Sequence, residues 1–164
     1  MPVRIVKLSK KTLAKAIKVG RRVFNGRDSQ WLEKVFTESL SRITYNKQKR
    51  KEVTSARFWV AKDIKKGVLG TTGLYTHKGD QNEAIWLGWF CVDPDYRGKG
   101  LGSRLLDYSI KKAKKEGFDY LRLWTTSSPN EKMAQGLYES RGFRIFDRKK
   151  DGRYTTLWRQ LKLS

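Results

Sequence analysis

Hydrophobic residues recur along the chain with two spacings, and their alternation predicts a mixture of helices and strands. Apolar residues three and four positions apart predict two helices, the first beginning near Leu13 and the second near Trp31. Further helices are predicted over residues 101–116 and 130–141, and strands over residues 3–8, 58–61, 68–76, 84–92, 120–125, 143–146 and 154–161. The order β-α-α-β-β-β-α-β-α-β-β predicts an α/β fold built on a mixed sheet.

The predicted strand Ala84–Val92 is a nearly continuous apolar run, which is typical of a central strand buried on both faces. Gly88 interrupts the run, and an isolated glycine inside a strand predicts a bulge or a splay. Trp86 and Trp89 are an odd number of residues apart, so a regular strand would place them on opposite faces of the sheet. A bulge between them would change that arrangement.

The chain of 164 residues has the length of one domain, and it contains neither a linker rich in Pro, Gly or Ser nor an internal repeat. We therefore expect a single domain over residues 1–164. Residues 46–52 form a basic run without apolar periodicity, which indicates a solvated loop or, alternatively, a contact with an anionic partner. The chain has no apolar run long enough to span a membrane and no secretory signal, which favours the cytoplasm.

The chain is strongly basic, because 37 Lys and Arg stand against 16 Asp and Glu and give a net charge of +21. Such a charge attracts polyanions such as RNA, DNA or ribosomes, although many lysines serve only to keep a surface solvated. The single Cys91 excludes an internal disulfide framework and a Cys-rich zinc site, and the single His77 excludes most histidine-based metal sites. We therefore expect no bound metal.

The segment from Val92 to Ser103 joins the central strand to a helix and has glycine at positions 98, 100 and 102. Glycines at alternate positions let backbone N–H groups approach an oxyanion closely, and the helix N-terminus adds partial positive charge. Arg97, Lys99 and Arg104 add full charges. The segment predicts a cradle for a phosphate or pyrophosphate, but it matches neither a Walker A loop nor the Gly-x-Gly-x-x-Gly fingerprint of a Rossmann fold.

Two motifs of this chain resemble the hallmarks of the GCN5-related N-acetyltransferase (GNAT) superfamily. Arg97-Gly98-Lys99-Gly100-Leu101-Gly102 matches the Arg/Gln-x-x-Gly-x-Gly/Ala signature, and Leu137-Tyr138-Glu139-Ser140-Arg141-Gly142-Phe143 resembles the Leu-Tyr-x-x-x-Gly-Phe end of a later helix. The first residues of the two motifs are 40 positions apart, with a predicted strand between them, as in that family. The resemblance covers residues 84–147, and over residues 1–83 it rests on the order of elements alone.

The resemblance implies the GNAT fold, a mostly antiparallel central sheet that is splayed in the middle and has helices on both faces. It also implies acetyl-CoA as cosubstrate, with its pyrophosphate on the amides of the glycine loop and its pantetheine arm paired with the splayed strand. The matching residues are Arg97, Gly98, Lys99, Gly100, Leu101, Gly102 and Ser103 in the loop, and Phe90, Cys91 and Val92 in the strand. Asn130 matches a residue that hydrogen-bonds the arm, and a helix N-cap is its alternative role.

Two further residues are candidates for catalysis. Tyr138 matches the tyrosine that often protonates the departing thiolate in this family, with simple packing against the cosubstrate as its alternative role. The acceptor amine must lose a proton, and Glu83 is the candidate base, with a solvated turn residue as its alternative role. His77 is a weaker candidate, and Asp93 is expected to cap the turn at Pro94. Cys91 has no evident base beside it, which favours direct transfer over an acyl-cysteine.

These observations predict an acetyl-CoA-dependent N-acetyltransferase whose acceptor is a primary amine of a small molecule or a protein. The basic charge leaves a nucleic-acid or ribosome-associated binding module as an alternative, and a CoA-binding sensor without turnover is another. The sequence identifies neither the acceptor nor the oligomeric state, and a homodimer is one alternative. A strongly positive protein disfavours polycationic acceptors unless its pocket is locally acidic.

Overall fold

The computed structural model describes residues 2–41 and 53–164, and its elements follow the order that the hydrophobic pattern predicts. The strands are β1 (Val3–Lys7), β2 (Val53–Asp63), β3 (Gly67–His77), β4 (Ala84–Val92), β5 (Tyr120–Thr126), β6 (Arg144–Asp151) and β7 (Tyr154–Lys162). The helices are α1 (Leu13–Val23), α2 (Arg27–Ser39), α3 (Leu101–Lys115) and α4 (Lys132–Ser140). The predicted basic loop at residues 46–52 lies outside the described residues. Within the described ranges, no helix is long and apolar enough to cross a membrane.

The described strands form one sheet in the order β1-β2-β3-β4-β5-β7-β6. Every neighbouring pair is antiparallel except β4 and β5, which run parallel. The prediction of a mixed sheet is therefore confirmed. The parallel pair lies in the middle, where β4 is joined to β5 by helix α3.

The sheet opens between β4 and β5. These strands pair only where Ala84–Trp86 lie beside Tyr120–Arg122. Beyond that point β4 stays with β3 as far as Val92, whereas β5 continues beside β7 as far as Thr126. One edge of β4 therefore has no strand partner over its second half, and a gap separates the two halves of the sheet.

A β-bulge in β4 accompanies this opening. Gly88 pairs with Gly73 and Cys91 pairs with Thr71, so that β4 has one more residue than β3 between these two pairs. The extra residue falls at Trp89–Phe90, and Trp89 is the one non-glycine among the described residues with a positive φ, at 50°. The bulge thus follows Gly88 rather than centring on it. Gly88 lacks a side chain for a different reason, since a Cβ there would lie 2.8 Å from the ring of Tyr75.

The bulge also corrects the expectation for the two tryptophans of β4. Trp86 is paired with Tyr75 and stacks on its ring, with centroids 6.3 Å apart. Trp89 packs against the hydrophobic cluster of α1 and α2, where its ring meets Phe24 edge-on at 5.2 Å. Because the bulge adds one residue, both tryptophans lie on the same side of the sheet rather than on opposite sides.

Helices cover both faces of the sheet. Helices α1 and α2 pack on one face through a cluster that includes Ala16, Ile17, Leu32, Phe36, Phe58 and Val60. Helices α3 and α4 pack on the other face through a cluster that includes Leu106, Ala113, Leu121, Leu123, Tyr138 and Phe143. The gap between β4 and β5 therefore joins two helical layers.

Two strands are several residues longer than the sequence predicts. Strand β2 covers Val53–Asp63 rather than residues 58–61, because pairing with β3 holds its polar ends in the sheet. Strand β6 extends to Asp151, whereas the apolar run predicts an end at residue 146. Residues 147–151 are charged and exposed on the outermost strand, so they carry no hydrophobic signal. Helix α4 begins at Lys132 after a short 3-10 turn over Pro129–Glu131, two residues later than predicted.

Gly73 lies opposite the bulge, and a Cβ at this position would collide with the ring of Phe58 and lie 2.9 Å from the Gly88 carbonyl oxygen. We therefore expect Gly73→Ala to lower the free energy of unfolding by about 1–3 kcal/mol, as overpacking does in buried sites. Urea unfolding measures the change. Gly79→Ala is the matched control, because a Cβ there has no neighbour within 4 Å. Equal stability of the two variants would contradict the close packing at Gly73.

Candidate active site

A cavity of about 1180 Å³ passes through the gap between β4 and β5. It is lined on one side by the C-terminal end of α1 and one face of α2, and on the other side by α4 and the glycine loop. The structure brings most of the predicted site residues into this lining, namely Phe90, Cys91, Val92, Arg97, Gly98, Gly100, Leu101, Gly102, Ser103, Asn130 and Tyr138. Lys99 and Glu83 are not in the lining.

The glycine loop offers a continuous set of backbone donors at the start of α3. Gly98 and Gly100 have φ of 75° and 80°, values that residues with a side chain rarely adopt. None of the six backbone N–H groups from Gly98 to Ser103 donates a hydrogen bond to a described residue. Gly100 caps a helix of 15 residues and provides no side-chain acceptor, so the loop and the helix N-terminus are free to bind an oxyanion.

The cationic side chains near the loop have separate roles. The Arg97 Nε donates to the Val92 carbonyl at 3.2 Å, which fixes the guanidinium beside the cavity. The Lys99 ammonium lies 5.2 Å from the centre of the Tyr96 ring. Arg104 donates to the Val3 carbonyl at 2.7 Å, so its main contact connects α3 to β1.

Two aspartates connect the glycine loop to α1. Asp93 caps the turn by accepting a hydrogen bond from the Asp95 N–H at 2.9 Å, as predicted. Arg22 of α1 donates to Asp93 at 2.6 Å and to Asp95 at 3.0 Å. The hydrogen bond from Arg22 lowers the pKa of Asp95, so the contact between Arg22 and Asp95 persists at neutral pH.

The bulge in β4 is held by Thr71 of the neighbouring strand. The Thr71 hydroxyl donates to the Trp89 carbonyl at 2.7 Å, which orients that carbonyl toward β3. On the opposite side, the backbone of β4 beyond Trp86 has no pairing with β5. An extended ligand can therefore pair with this edge as an added strand does.

Tyr138 belongs to α4 and lines the cavity from that helix. Its side chain is 5% exposed and packs between Phe90, at a centroid distance of 5.9 Å, and Phe143, at 5.8 Å. Burial raises the pKa of Tyr138 above its ordinary value, and the negative charge of Glu131 acts in the same direction. The phenol is therefore protonated at neutral pH and is available as a proton donor.

Cys91 lies in the same cavity but has the character of a buried thiol. Burial raises its pKa to about 11, against a smaller opposing effect of the hydrogen bond with Thr71. Its Sγ lies 3.2 Å from the Thr71 hydroxyl. A thiol in this state has little nucleophilic thiolate at neutral pH.

The two candidate bases lie near the closed end of the gap. The Glu83 carboxylate forms an ion pair with Arg122 at 3.1 Å, and its side chain is 52% exposed. The Glu83 carbonyl accepts from the N–H groups of Asp119 and Tyr120. His77 lines the cavity, and its ring lies 6.2 Å from that of Trp86. The role of Glu83 as base stays a prediction.

No motif in the sequence marks the acceptor side of the cavity. In the structure, one stripe of α2 lines the cavity with Asp28, Trp31, Val35 and Glu38, and Tyr154 lines it from the hairpin. The spacing i, i+3, i+7 and i+10 is visible in the sequence, but it looks the same as a helix face that packs into a core. Tyr75 and Trp124 complete this wall.

The open sheet and the glycine-rich N-terminus of α3 beside the opening agree with the fold that the two sequence motifs imply. A family model described as an acetyltransferase (GNAT) domain matches residues 54–145. The chain therefore belongs to the GNAT acetyltransferase family. A search of curated proteins by sequence gives no match.

Solved structures share this fold over the whole length of the chain. A protein from Desulfovibrio desulfuricans assigned to the GNAT family is 15% identical, with a TM-score of 0.83 and 99% of each chain covered. The ribosomal-protein-S18-alanine N-acetyltransferase of Escherichia coli is 23% identical, with a TM-score of 0.70. The match covers 99% of this chain and 94% of that one. Mutant forms of a spermidine/spermine N-acetyltransferase from Vibrio cholerae are 14% identical, with a TM-score of 0.69 and coverages of 98% and 95%.

Cys91 gives a prediction for the dependence of stability on pH. Its folded pKa of about 11 exceeds the value of about 8.5 in an unfolded chain, so its contribution to stability is fully present at neutral pH and is lost as the pH rises through both values. The difference in urea midpoint between the wild type and Cys91→Ala should therefore decrease from about pH 8 to about pH 11. Rapid reaction of the folded protein with a thiol reagent at neutral pH would contradict the buried state.

Proposed function

We propose that residues 1–164 act as one acetyl-CoA-dependent N-acetyltransferase domain that transfers an acetyl group directly to a primary amine, with the cytoplasm as its setting. The observation that carries this proposal is the run of six unpaired N–H groups from Gly98 to Ser103, next to the unpaired edge of β4. The glycine loop, this edge and Tyr138 all line one cavity. Membership of the GNAT family supports acetyl transfer as the chemistry of that cavity.

In the proposed complex, the glycine loop and the edge of β4 bind acetyl-CoA. The backbone N–H groups of residues 97–103 hold the pyrophosphate, and the charges of Arg97 and Lys99 add to the field of the α3 N-terminus. The backbone of Phe90, Cys91 and Val92 pairs with the pantetheine arm, and the Asn130 amide hydrogen-bonds the arm. The residues fit this ligand because the loop offers adjacent donors and the strand offers a free edge.

Acetyl-CoA supplies the acetyl group as a thioester. In the proposed transfer, the lone pair of the amine nitrogen forms a C–N bond to the acetyl carbon, and the C–S bond breaks with its electron pair on sulfur. Tyr138 donates its phenolic proton to that sulfur and later recovers a proton from solvent. The reactants are held by the cavity, and positioning supplies much of the acceleration. The buried thiol of Cys91 favours this single step over an acyl-cysteine.

The acceptor nitrogen gives up a proton during the transfer. We keep Glu83 as the proposed base, and its place outside the cavity lining requires a relay through water. The ion pair with Arg122 orients the Glu83 side chain. His77 lines the cavity and is the alternative base.

The glycine loop gives the first test of the proposed function. At about 100 times its Kd, acetyl-CoA should stabilise the wild type by about 2.7 kcal/mol and raise Tm by about 5–10 °C. Gly100→Glu should abolish this rise, because a side chain and a negative charge would occupy the oxyanion cradle. Gly152→Glu is the matched control, since Gly152 also has a positive φ and open space but lies in the β6–β7 turn. Retained stabilisation of Gly100→Glu by acetyl-CoA would place the binding site elsewhere.

Tyr138 gives the second test. We expect Tyr138→Phe to lower kcat by about 100-fold or more, the usual contribution of a general acid, with little change in the KM for acetyl-CoA. The measurement is the release of free CoA in the presence of an amine. Tyr108→Phe removes a hydroxyl from a tyrosine that packs against Trp59 outside the cavity, and it should leave kcat unchanged. A Tyr138→Phe enzyme as fast as the wild type would exclude the proposed acid role.

A further inference from the structure

Among the described residues, the cavity lining has a net charge opposite to that of the chain as a whole. The chain contains 37 Lys and Arg, yet Arg97 is the one Lys or Arg among the described residues that line the cavity, and it lies beside the glycine loop. The acidic lining residues are Asp28, Glu38 and Glu131. The side of the cavity away from the loop is therefore locally negative, which attracts a cation and repels an anionic group.

Glu38 is the carboxylate best placed to select an acceptor. The Glu131 carboxylate is already hydrogen-bonded to the backbone and hydroxyl of Thr126, and Asp28 is exposed at the rim. Glu38 is only 7% exposed and lines the cavity. Its ion pair with Lys34 has an N–O distance of 3.9 Å, which is too long for a hydrogen bond. A buried carboxylate with so little compensation favours a bound cation.

Aromatic side chains form the rest of the acceptor wall. Of the six large hydrophobic residues that are exposed among the described residues, four line this cavity, namely Trp31, Trp124, Met133 and Tyr154. Exposed apolar side chains gathered at one mouth are typical of a binding site. Tyr75 stacks on Trp86, and its burial raises its pKa to about 12, so it contributes a neutral aromatic wall.

From these features we infer that the acceptor is a cationic amine with an aromatic body and without a carboxylate, and that Glu38 is a specificity-determining residue. This inference rests on the proposed acetyltransferase function. An aromatic ring buries apolar area against the tryptophans, and an ammonium group is stabilised by aromatic faces and by Glu38. A carboxylate on the acceptor would meet Glu38 as a like charge in a site of low dielectric constant. A linear diamine gains less contact with the aromatic wall and experiences more repulsion from the net charge of the protein.

A set of five amines tests the inference through kcat/KM for CoA release. Phenethylamine and phenylalanine amide should be acetylated at least about 10-fold more efficiently than phenylalanine, which differs from the amide only in its carboxylate. Phenethylamine should also exceed n-butylamine and 1,4-diaminobutane by a similar factor. Equal use of phenylalanine and its amide would overturn the charge selection. Preference for the diamine or for butylamine would overturn the aromatic selection.

The role of Glu38 is tested with Glu38→Gln, which keeps the shape of the side chain. This variant should raise the KM for phenethylamine about 10-fold with little change in kcat, because Glu38 attracts the ammonium form of the acceptor into the cavity and proton removal belongs to the proposed base. Glu33→Gln is the matched control, since Glu33 lies on the same helix, pairs with Arg21 and is outside the cavity lining. A fall in kcat at unchanged KM would overturn the specificity role.

The same samples separate failure of this inference from failure of the proposed function. Acetyl-CoA should raise the Tm of the wild type and of Glu38→Gln alike, because Glu38 lies on α2 and away from the glycine loop. Stabilisation by acetyl-CoA without acetylation of phenethylamine would overturn the acceptor class alone. Absence of both stabilisation and CoA release would overturn the proposed function itself.

Discussion

One mismatch in strand pairing controls the architecture of the site. The extra residue at Trp89–Phe90 cannot be accommodated in a regular ladder with β3, so β4 bends while β5 continues beside β7. The Thr71 hydroxyl and the small residue Gly73 on β3 support this bend from the neighbouring strand. The gap, the free edge of β4 and the cavity through the sheet all depend on it. The positive φ of Trp89 is the local strain that accompanies this arrangement.

Two different electrostatic environments lie on the two faces of the sheet and meet in the cavity. On the α3 and α4 side, glycine N–H groups and Arg97 create a positive surface for phosphate. On the α1 and α2 side, Glu38 and aromatic rings create a negative and apolar surface. The proposed transfer from an anionic donor to a cationic acceptor depends on this separation, because a uniform field would repel one of the two substrates. The net charge of +21 therefore describes neither half of the site.

The sequence predicted those parts of the molecule in which a local pattern decides the structure. Hydrophobic spacing predicts the order of the elements. Glycines at alternate positions before a helix predict the loop that exposes its backbone N–H groups. The end of β6 was missed because pairing with β7, rather than apolar burial, holds residues 147–151 in the strand. Glu38 was missed because a helix stripe that lines a cavity has the same spacing as one that fills a core. The same-side arrangement of Trp86 and Trp89 depends on a register shift that only the paired strands reveal.

Part of the basic charge lies on the two edge strands of the sheet, outside the cavity. Strand β1 carries Arg4 and Lys7, and strand β6 carries Arg144, Arg148 and the pair Lys149–Lys150. The outer strand of a sheet presents unpaired backbone groups that can recruit a strand from another molecule. Two copies that approached through these edges would bring like charges together, and the repulsion would grow as the strands came into register. The basic residues of these edges therefore disfavour edge-to-edge pairing between copies of the chain.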